Sequence, residues 1–101
     1  MKRTLIRYRT KPELADRNAA LIANVFAELK ALSPEGIRYL SLRLEDGGFV
    51  HFVEAEADTA GVLTGLPAFK AFQEGIRDRC IEPPQPGSAI IVGNYRMLSE
   101  P

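Results

Sequence analysis

The chain has 101 residues, of which 46% are hydrophobic and 26% are charged, and its basic and acidic residues balance to a net charge of zero at pH 7. This length and composition predict one globular domain over residues 1–101 and exclude a largely disordered chain. The balanced charge gives no support to a nucleic-acid-binding surface, and the single cysteine, Cys80, excludes an intramolecular disulfide.

The N-terminal segment MKRTLIRYRT is basic but lacks the continuous apolar run of a signal peptide. No stretch of the chain has the length of apolar sequence that a transmembrane helix needs. A single free cysteine suits a reducing compartment. We therefore expect a soluble cytoplasmic protein with no membrane partner and no nucleic-acid partner.

The first third of the chain predicts a strand followed by an amphipathic helix. Residues 3–9 alternate in character, as strand residues do. Thr10 and Glu13 have the spacing of a capping box, and Pro12 is tolerated in a first helical turn, so we expect the helix to begin there. It should end in the Ser-Pro-Glu-Gly sequence of residues 33–36. The positions that recur at helical spacing include one polar residue: Leu14, Asn18, Leu21, Ile22, Val25, Leu29 and Leu32.

The remainder predicts a hairpin, a second helix and a last strand. Residues 37–44 and 49–56 are strand-like, and the Asp-Gly-Gly sequence of residues 46–48 favours a tight turn between them, because glycine supplies positive φ. Residues 58–65 are a connector with one helical turn, and residues 67–80 are a second helix. The proline-rich residues 83–87 predict an extended loop, and the β-branched composition of residues 88–98 predicts a strand. The apolar stripe of the second helix comprises Phe69, Phe72, Ile76 and Cys80.

The order β-α-β-β-α-β indicates an α+β, ferredoxin-like fold, with a four-stranded antiparallel sheet and two helices on one face. The other face of such a sheet should be polar. Instead, the third strand carries Val50 and Phe52 on one face and Phe49, His51 and Val53 on the other, so both faces are apolar. The simplest cover is a second copy of the sheet, and we expect a homodimer through sheet faces. A more deeply buried monomer and a different partner protein are the alternatives.

The only histidine, His51, lies in the third strand, and the hairpin loop decides its neighbours. A loop with an even number of residues places His51 with Leu40, Leu42 and Leu44, the better candidates to pack under the helices, and an odd loop reverses the assignment. In an apolar slot between sheet and helices, desolvation lowers the pKa of a histidine and keeps it neutral. A lone histidine in a strand is more often structural than catalytic. A neutral imidazole in a cleft nevertheless suits a general base, so His51 is the candidate catalytic residue.

Several other side chains are candidates for the wall of a binding pocket. Asn18 occupies an apolar-stripe position, where a buried amide needs a hydrogen-bond partner. Tyrosines on strands can donate hydrogen bonds into a cavity, although buried tyrosines commonly serve packing alone. One histidine cannot build a usual zinc or iron site, so no metal is expected. The candidate substrate-binding residues are Asn18, Tyr8, Tyr39, Tyr95 and Phe72.

The end of the predicted second helix carries Arg77, Arg79 and Cys80. Cations are favourable at the C-terminal end of a helix dipole, and the same end disfavours a thiolate. We therefore expect structural roles for the two arginines, with an anionic ligand as the alternative partner. Cys80 is expected to be a small core residue rather than a nucleophile.

The element order and three segments, FVHFVEAE, LPAFKAFQEGIRDRCIEPP and SAIIVGNYRML, resemble the antibiotic-biosynthesis-monooxygenase-like proteins of the dimeric α/β-barrel superfamily. The resemblance covers nearly the whole chain. It implies a homodimer whose two sheets form a shared barrel, with a pocket in each subunit between sheet and helices. Members include oxygenases that convert aromatic polyketides to quinones without metal or flavin, and others that degrade haem.

The resemblance implies a cofactor-independent monooxygenase acting on a small aromatic, polyketide-like substrate. The haem-degrading members use a tryptophan and a helical histidine, whereas this chain has no tryptophan and its histidine lies in a strand, so we do not expect haem degradation. The quinone-forming members also use a pocket tryptophan, and none of their site residues is matched here. A binding protein for a small hydrophobic ligand and a pure dimerisation module are the alternatives.

Overall fold

The computed structural model describes residues 1–98, and the last three residues of the predicted domain lie outside this part. Its helices all lie on one side of a single sheet. None of the helices in the described part combines the length and apolarity that crossing a bilayer requires. The elements in chain order are β1 (Lys2–Thr10), a 3-10 turn (Pro12–Leu14), α1 (Ala15–Leu32), β2 (Ile37–Arg43), β3 (Gly48–Ala55), α2 (Ala60–Gly65), α3 (Pro67–Gln73), α4 (Ile76–Arg79) and β4 (Cys80–Ser88).

The four strands form one antiparallel sheet in the order β2-β3-β1-β4. The first and third strands occupy the centre, and the second and fourth occupy the edges, as in a ferredoxin-like sheet. The prediction of an α+β fold with a four-stranded antiparallel sheet and helices on one face is therefore confirmed.

The hairpin between β2 and β3 has a three-residue loop, residues 45–47. Leu44 donates its N–H to the carbonyl of Gly48 at 2.8 Å, and Gly47 donates to the carbonyl of Leu44 at 3.2 Å. Gly47 has a φ of +86°, the left-handed conformation that closes loops of this length. The odd loop places Ser41 opposite His51. The expectation that His51 shares a face with Leu40, Leu42 and Leu44 was wrong, and the reversed register is the observed one.

The two faces of the sheet carry different residues. The inner face, which packs against the helices, carries Tyr8, Tyr39, Phe49, His51 and Val53. The outer face, which points away from the helices, carries five apolar residues, Leu5, Leu40, Leu42, Val50 and Phe52, and also Glu54 with the arginines at positions 3, 7 and 38. The prediction that both faces are largely apolar is confirmed.

The first helix begins without the predicted capping box. Thr10 is the last residue of β1, and its hydroxyl donates to the carbonyl of Gly47 at 3.3 Å. The 3-10 turn that precedes α1 is flanked by Lys11, which makes no side-chain cap. The capping prediction failed because Thr10 pairs with Cys80 in the sheet, which keeps its backbone extended.

The predicted second helix is broken. The helix α3 ends at Gln73, and Gly75 has a φ of +73°, which interrupts the helical conformation before the short helix α4. Glycine adopts this left-handed conformation without the steric cost that other residues incur. Cys80 therefore begins β4 instead of ending a helix.

The proline-rich segment belongs to β4, so its prediction as a loop was wrong. Pro86 lies opposite Ile6, and Ala89 donates its N–H to the carbonyl of Arg3. Because strand N–H groups alternate in direction, the nitrogen of Pro86 points away from β1, and the register shift between Gln85 and Glu82 falls at Pro83 and Pro84. Proline is tolerated in an edge strand in this orientation.

The predicted last strand over residues 88–98 was also wrong, since only Ser88 lies in β4. We call residues 89–98 the C-terminal arm. The arm carries several large apolar side chains that are exposed, and Val92 is fully exposed. A groove on the outer face is lined by this arm together with Leu40 and Phe52.

Candidate functional site

His51 lies in the middle of the inner face, with 2% of its surface exposed. Both of its ring nitrogens are hydrogen-bonded: Nδ1 lies 2.6 Å from the hydroxyl oxygen of Tyr39, and Nε2 lies 2.8 Å from that of Tyr8. The sheet register explains this arrangement, because Tyr8 and Tyr39 are diagonal neighbours of His51 on the two flanking strands. A histidine between two tyrosines is therefore a product of strand pairing.

The hydrogen-bond chain continues from Tyr8 into the helices. Asn18, on α1, is fully buried, and its Nδ2 donates to the hydroxyl of Tyr8 at 2.9 Å. Arg79, at the end of α4, donates from Nε to Oδ1 of Asn18 at 3.1 Å. The expectation that a buried Asn18 has a hydrogen-bond partner is confirmed. Side chains from β2, β3, β1, α1 and α4 thus form one continuous chain.

Arg79 is the one residue of this hydrogen-bond chain that was not among the predicted site residues. It is buried, and its two terminal nitrogens donate to the carbonyls of Phe72 and Glu74 at the C-terminal end of α3. A cation is favourable there because the last carbonyls of a helix lack backbone partners. The expected pairing of Arg79 with a helix end is observed, but on α3. Gly75, which breaks the helix, is the sequence signal that could have indicated that Arg79 turns back towards the end of α3.

Burial sets the protonation states of the cluster. Desolvation lowers the pKa of His51 from 6.5 to about 4, so the imidazole is neutral at pH 7. Desolvation also raises the pKa values of Tyr8 and Tyr39, although the hydrogen bond from Asn18 partly offsets this effect at Tyr8. The sequence-based prediction of a neutral histidine with a lowered pKa is confirmed. All three side chains are uncharged hydrogen-bonding groups at neutral pH.

A cavity of about 420 Å³ adjoins this cluster between the inner face and the helices. Its polar side chains include Tyr8, Tyr39 and His51, and most of the others are apolar. A second cavity, of about 730 Å³, shares part of the same wall. The first cavity is lined by Ile6, Tyr8, Tyr39, His51, Val53, Leu63, Phe69, Phe72, Gln73, Ile76, Pro84 and Pro86.

Aromatic rings form much of the wall next to His51. The ring centroids of Tyr8, Tyr39 and Phe72 lie 5.4, 5.6 and 5.5 Å from that of His51. Phe69 extends the cluster, with its centroid 6.1 Å from that of Phe72. Such separations are typical of stacked and tilted aromatic pairs, and an aromatic ligand is a suitable addition to the group. The cavity offers apolar ring faces and a small number of hydrogen-bonding atoms.

The structure brings together five of the predicted site residues and leaves one apart. Asn18, Tyr8, Tyr39 and His51 belong to the hydrogen-bond chain, and Phe72 lines the cavity. Tyr95 lies on the C-terminal arm with 78% of its surface exposed, away from this cluster. It was placed in the site by the incorrect prediction of a strand over residues 88–98.

The described residues hold no group of three or more His, Cys, Asp or Glu side chains that could bind a metal ion. Cys80 is half-buried at the start of β4, and burial raises the pKa of its thiol. This direction disfavours the thiolate that a nucleophilic cysteine needs. Within residues 1–98, the chemistry that the site supports is hydrogen bonding to a ligand held in an apolar cavity.

Known proteins resemble this chain in structure. No family model matches it, and no curated protein matches it. A candidate antibiotic biosynthesis monooxygenase from Caulobacter crescentus is 19% identical, with 90% of this chain and 89% of that chain covered and a TM-score of 0.72. One from Bacteroides thetaiotaomicron is 16% identical over 90% and 89% of the two chains, with a TM-score of 0.75.

A third solved structure, of an antibiotic biosynthesis monooxygenase, is 20% identical, covers 92% of this chain and 100% of that chain, and has a TM-score of 0.68. Similarity at these sequence identities establishes the fold. The activity has to be inferred from the residues of the site. The chain has the fold of the antibiotic-biosynthesis-monooxygenase-like proteins.

Proposed function

We propose that this protein is a cofactor-independent monooxygenase for a small aromatic, polyketide-like substrate. The observation that carries the proposal is the buried cluster of Tyr39, His51 and Tyr8 at the wall of an otherwise apolar cavity. The likeness to solved structures that bear monooxygenase names supports it. A cavity of about 420 Å³ lies within the range of sites for small organic ligands.

In such a reaction the substrate supplies the electrons. A phenol or an anthrone-type carbon acid loses a proton, and the resulting anion transfers one electron to O₂. The substrate radical and superoxide combine to a peroxide, whose breakdown releases water and leaves one oxygen atom on the substrate as a carbonyl. The protein has to bind the anion, donate a hydrogen bond to its oxygen and exclude water.

The cavity residues divide these tasks. The ring of Phe72 packs against the aromatic body of the substrate, and the hydroxyl of Tyr39 binds its oxygen. Both nitrogens of His51 are already hydrogen-bonded, so a proton from the substrate would reach the imidazole through the tyrosine hydroxyl that donates to it. The role of His51 as a general base stays a prediction, and direct contact between imidazole and substrate is not part of the proposal.

Oxygen uptake by metal-stripped protein with a panel of hydroquinones and anthrone-like phenols tests the proposal, after subtraction of autoxidation. Tyr39→Phe should lower uptake by about 10- to 100-fold, the effect of removing a hydrogen bond to a charged oxygen. His51→Ala should lower it by about 100-fold or more if the imidazole serves as the base. Tyr95→Phe removes the same hydroxyl from an exposed position and should leave uptake unchanged. Uptake that is equal in the wild type and Tyr39→Phe would refute the assigned site.

A ligand-binding protein without turnover is the second candidate function. It is favoured by the engagement of both His51 nitrogens, because the one lone pair of the neutral imidazole already accepts a hydrogen bond from a tyrosine hydroxyl. Binding of the aromatic panel without oxygen consumption would support it over the oxygenase. A pure dimerisation module needs no interior cavity, so the cavity favours the two ligand-binding functions instead.

We also propose that the protein is a homodimer in which two outer faces pack together. Leu40 and Leu42 are 44% and 49% exposed on this face, and Leu5 is similarly exposed. The exposed apolar side chains of the C-terminal arm border the same surface. A contiguous apolar surface of this kind commonly marks a protein interface.

Light scattering of wild type and Leu42→Lys tests the dimer. The lysine should shift the protein towards monomers, because burying its charge in an apolar interface is unfavourable. Leu32→Lys places the same change on an exposed leucine at the end of α1 and should leave the mass unchanged. A monomeric wild type, or a dimer that tolerates Leu42→Lys, would contradict this interface.

A further inference from the structure

Arg79 determines the direction of the whole hydrogen-bond chain. A guanidinium only donates hydrogen bonds, so the Asn18 atom that faces Arg79 Nε has to be the carbonyl oxygen. The amide nitrogen of Asn18 then faces Tyr8, and it donates to the tyrosine hydroxyl. The amide cannot be reversed without placing one donor against another. The orientation of Asn18 is thereby set by a residue 61 positions away in the chain.

The hydroxyl hydrogen of Tyr8 has one available acceptor. Tyr8 is buried, and its hydroxyl contacts two partners in the described part of the chain, Asn18 Nδ2 and His51 Nε2. Because the amide nitrogen is a donor, the hydroxyl has to donate to Nε2. A buried donor without an acceptor is unfavourable, and the opposite direction would leave the Tyr8 hydrogen without one. His51 Nε2 is therefore the acceptor nitrogen.

The protonation of His51 follows from this direction. Burial lowers the pKa of His51 to about 4, so the ring carries one proton at neutral pH. With Nε2 accepting, that proton lies on Nδ1, which donates to the hydroxyl oxygen of Tyr39 at 2.6 Å. Tyr39 accepts from His51, so its own hydrogen is not used within the chain. Since Tyr39 lines the cavity, this hydrogen is available to a ligand.

We propose that Arg79 and Asn18 hold His51 in its Nδ1-protonated tautomer, and that Tyr39 thereby presents a hydrogen-bond donor to the cavity. The preferred ligand is then an aromatic molecule with an acceptor oxygen, a ketone carbonyl or an ionised phenol. Asn18 and Arg79 are positioning residues that act through Tyr8 and His51. The tautomer stands independently of the proposed function, whereas the ligand preference rests on the proposed aromatic cavity.

The tautomer is directly measurable because the chain has a single histidine. In a long-range ¹H–¹⁵N correlation spectrum at neutral pH, Nδ1 correlates with one ring proton, Hε1, and Nε2 correlates with both Hε1 and Hδ2. We expect the protonated nitrogen to be Nδ1, with the other tautomer about tenfold or more less populated. A protonated Nε2, or two tautomers in equal amounts, would overturn the proposal.

Asn18→Asp should reverse the direction of the hydrogen bonds from Tyr8 to Tyr39. A carboxylate accepts from both Arg79 and the Tyr8 hydroxyl, so Tyr8 would accept from His51 Nε2–H and Tyr39 would donate to Nδ1. Asn24→Asp, the same change at an exposed position of the same helix, is the matched control and should keep the wild-type tautomer. A folded Asn18→Asp protein with the wild-type tautomer would refute the control exerted by Asn18. If this variant does not fold, the wild-type spectrum still decides the proposal.

The ligand preference is tested by comparing the binding of 1-tetralone and tetralin, which differ in one carbonyl, by NMR titration. The wild type should bind the ketone about three- to tenfold more tightly, the effect of one neutral hydrogen bond. The preference should disappear in Tyr39→Phe and in Asn18→Asp. A preference that persists in Tyr39→Phe would overturn the assigned donor. Failure of both probes to bind would contradict the proposed aromatic cavity and leave the tautomer result unaffected.

Discussion

Neighbouring residues of β3 lie on opposite faces of the sheet and have different environments. On the inner face, Phe49 and His51 are almost fully buried under the helices. On the outer face, Phe52 is half-buried, and Glu54 is buried between Arg3 and Arg38, with Nε to carboxylate distances of 2.7 and 3.9 Å. Buried polar groups on the inner face are therefore neutral, whereas the one on the outer face is charged and paired.

The face on which a buried polar group lies therefore determines whether it is neutral or charged. Under the helices, ionisation is disfavoured by desolvation, and His51 is satisfied by two tyrosine hydroxyls. On the outer face, arginines of the flanking strands are partly exposed and neutralise Glu54. The pattern of apolar residues along the strand predicts two apolar faces. The position of the helices decides which of these faces is buried in the interior.

The largest expected effect is a difference between the two faces in the loss of stability on substitution. Phe49→Ala should lower the free energy of unfolding by about 3–5 kcal/mol, because it leaves a cavity in a closed core. Phe52→Ala is the matched change on the outer face of the same strand, and it should have a smaller effect. Urea unfolding at several protein concentrations measures both.

Protein concentration sharpens this comparison. If the outer faces pair in a homodimer, the effect of Phe52→Ala should grow with protein concentration, because association stabilises the folded state by mass action. The effect of Phe49→Ala should not depend on concentration in this way. Equal losses for the two variants at all concentrations would contradict the assignment of inner and outer faces.

The second effect is the pH dependence that the inner face confers. The unfolded chain binds a proton at His51 with a pKa near 6.5, whereas the folded chain does so only near 4. The unfolded state therefore binds more protons between these values, and stability should fall by about 3 kcal/mol as the pH drops through this window. Urea unfolding of the wild type and His51→Gln, compared at each pH, isolates this contribution from that of the carboxylates. Parallel pH profiles for the two proteins would argue against a buried neutral His51.

The smallest effect concerns the charged pair of the outer face. Glu54→Gln should cost about 1.5–3 kcal/mol in the free energy of unfolding, since it weakens hydrogen bonds between charged groups. Glu82→Gln breaks the ion pair with Arg9, in which both side chains are largely exposed, and should cost less than about 1 kcal/mol. Thermal or urea unfolding compares them. Equal costs would mean that burial does not strengthen the Glu54 interaction.

The sequence predicted most of the candidate site but not its connections. Asn18 was recognised because a polar residue on an apolar stripe needs a partner, and His51 because it is the only imidazole in a strand. The contact between Asn18 and Arg79 depends on the helix break at Gly75, which brings Arg79 back towards α3. Local periodicity carries no information about such a contact, since helical spacing continues across the break.

The errors in the strands have a similar origin. The segment of Pro84 and Pro86 forms β4 because an edge strand needs a partner on only one side, a condition set by its place in the sheet. The β-branched residues of the C-terminal arm have strand propensity, but beyond Ala89 the described arm does not lie in a ladder. Strand propensity is realised only where a neighbouring backbone supplies the hydrogen bonds.

The sequence by itself determined the α+β class, the positions of β1, α1, β2 and β3, and the apolar character of both sheet faces, because these follow from short-range periodicity and turn residues. Only the tertiary structure decided the odd hairpin register, the edge strand β4 and the chain that runs from Arg79 to Tyr39. The last two features depend on contacts between residues distant in sequence. The register depends on whether the loop closes with an odd or an even number of residues, which the Asp-Gly-Gly sequence leaves open.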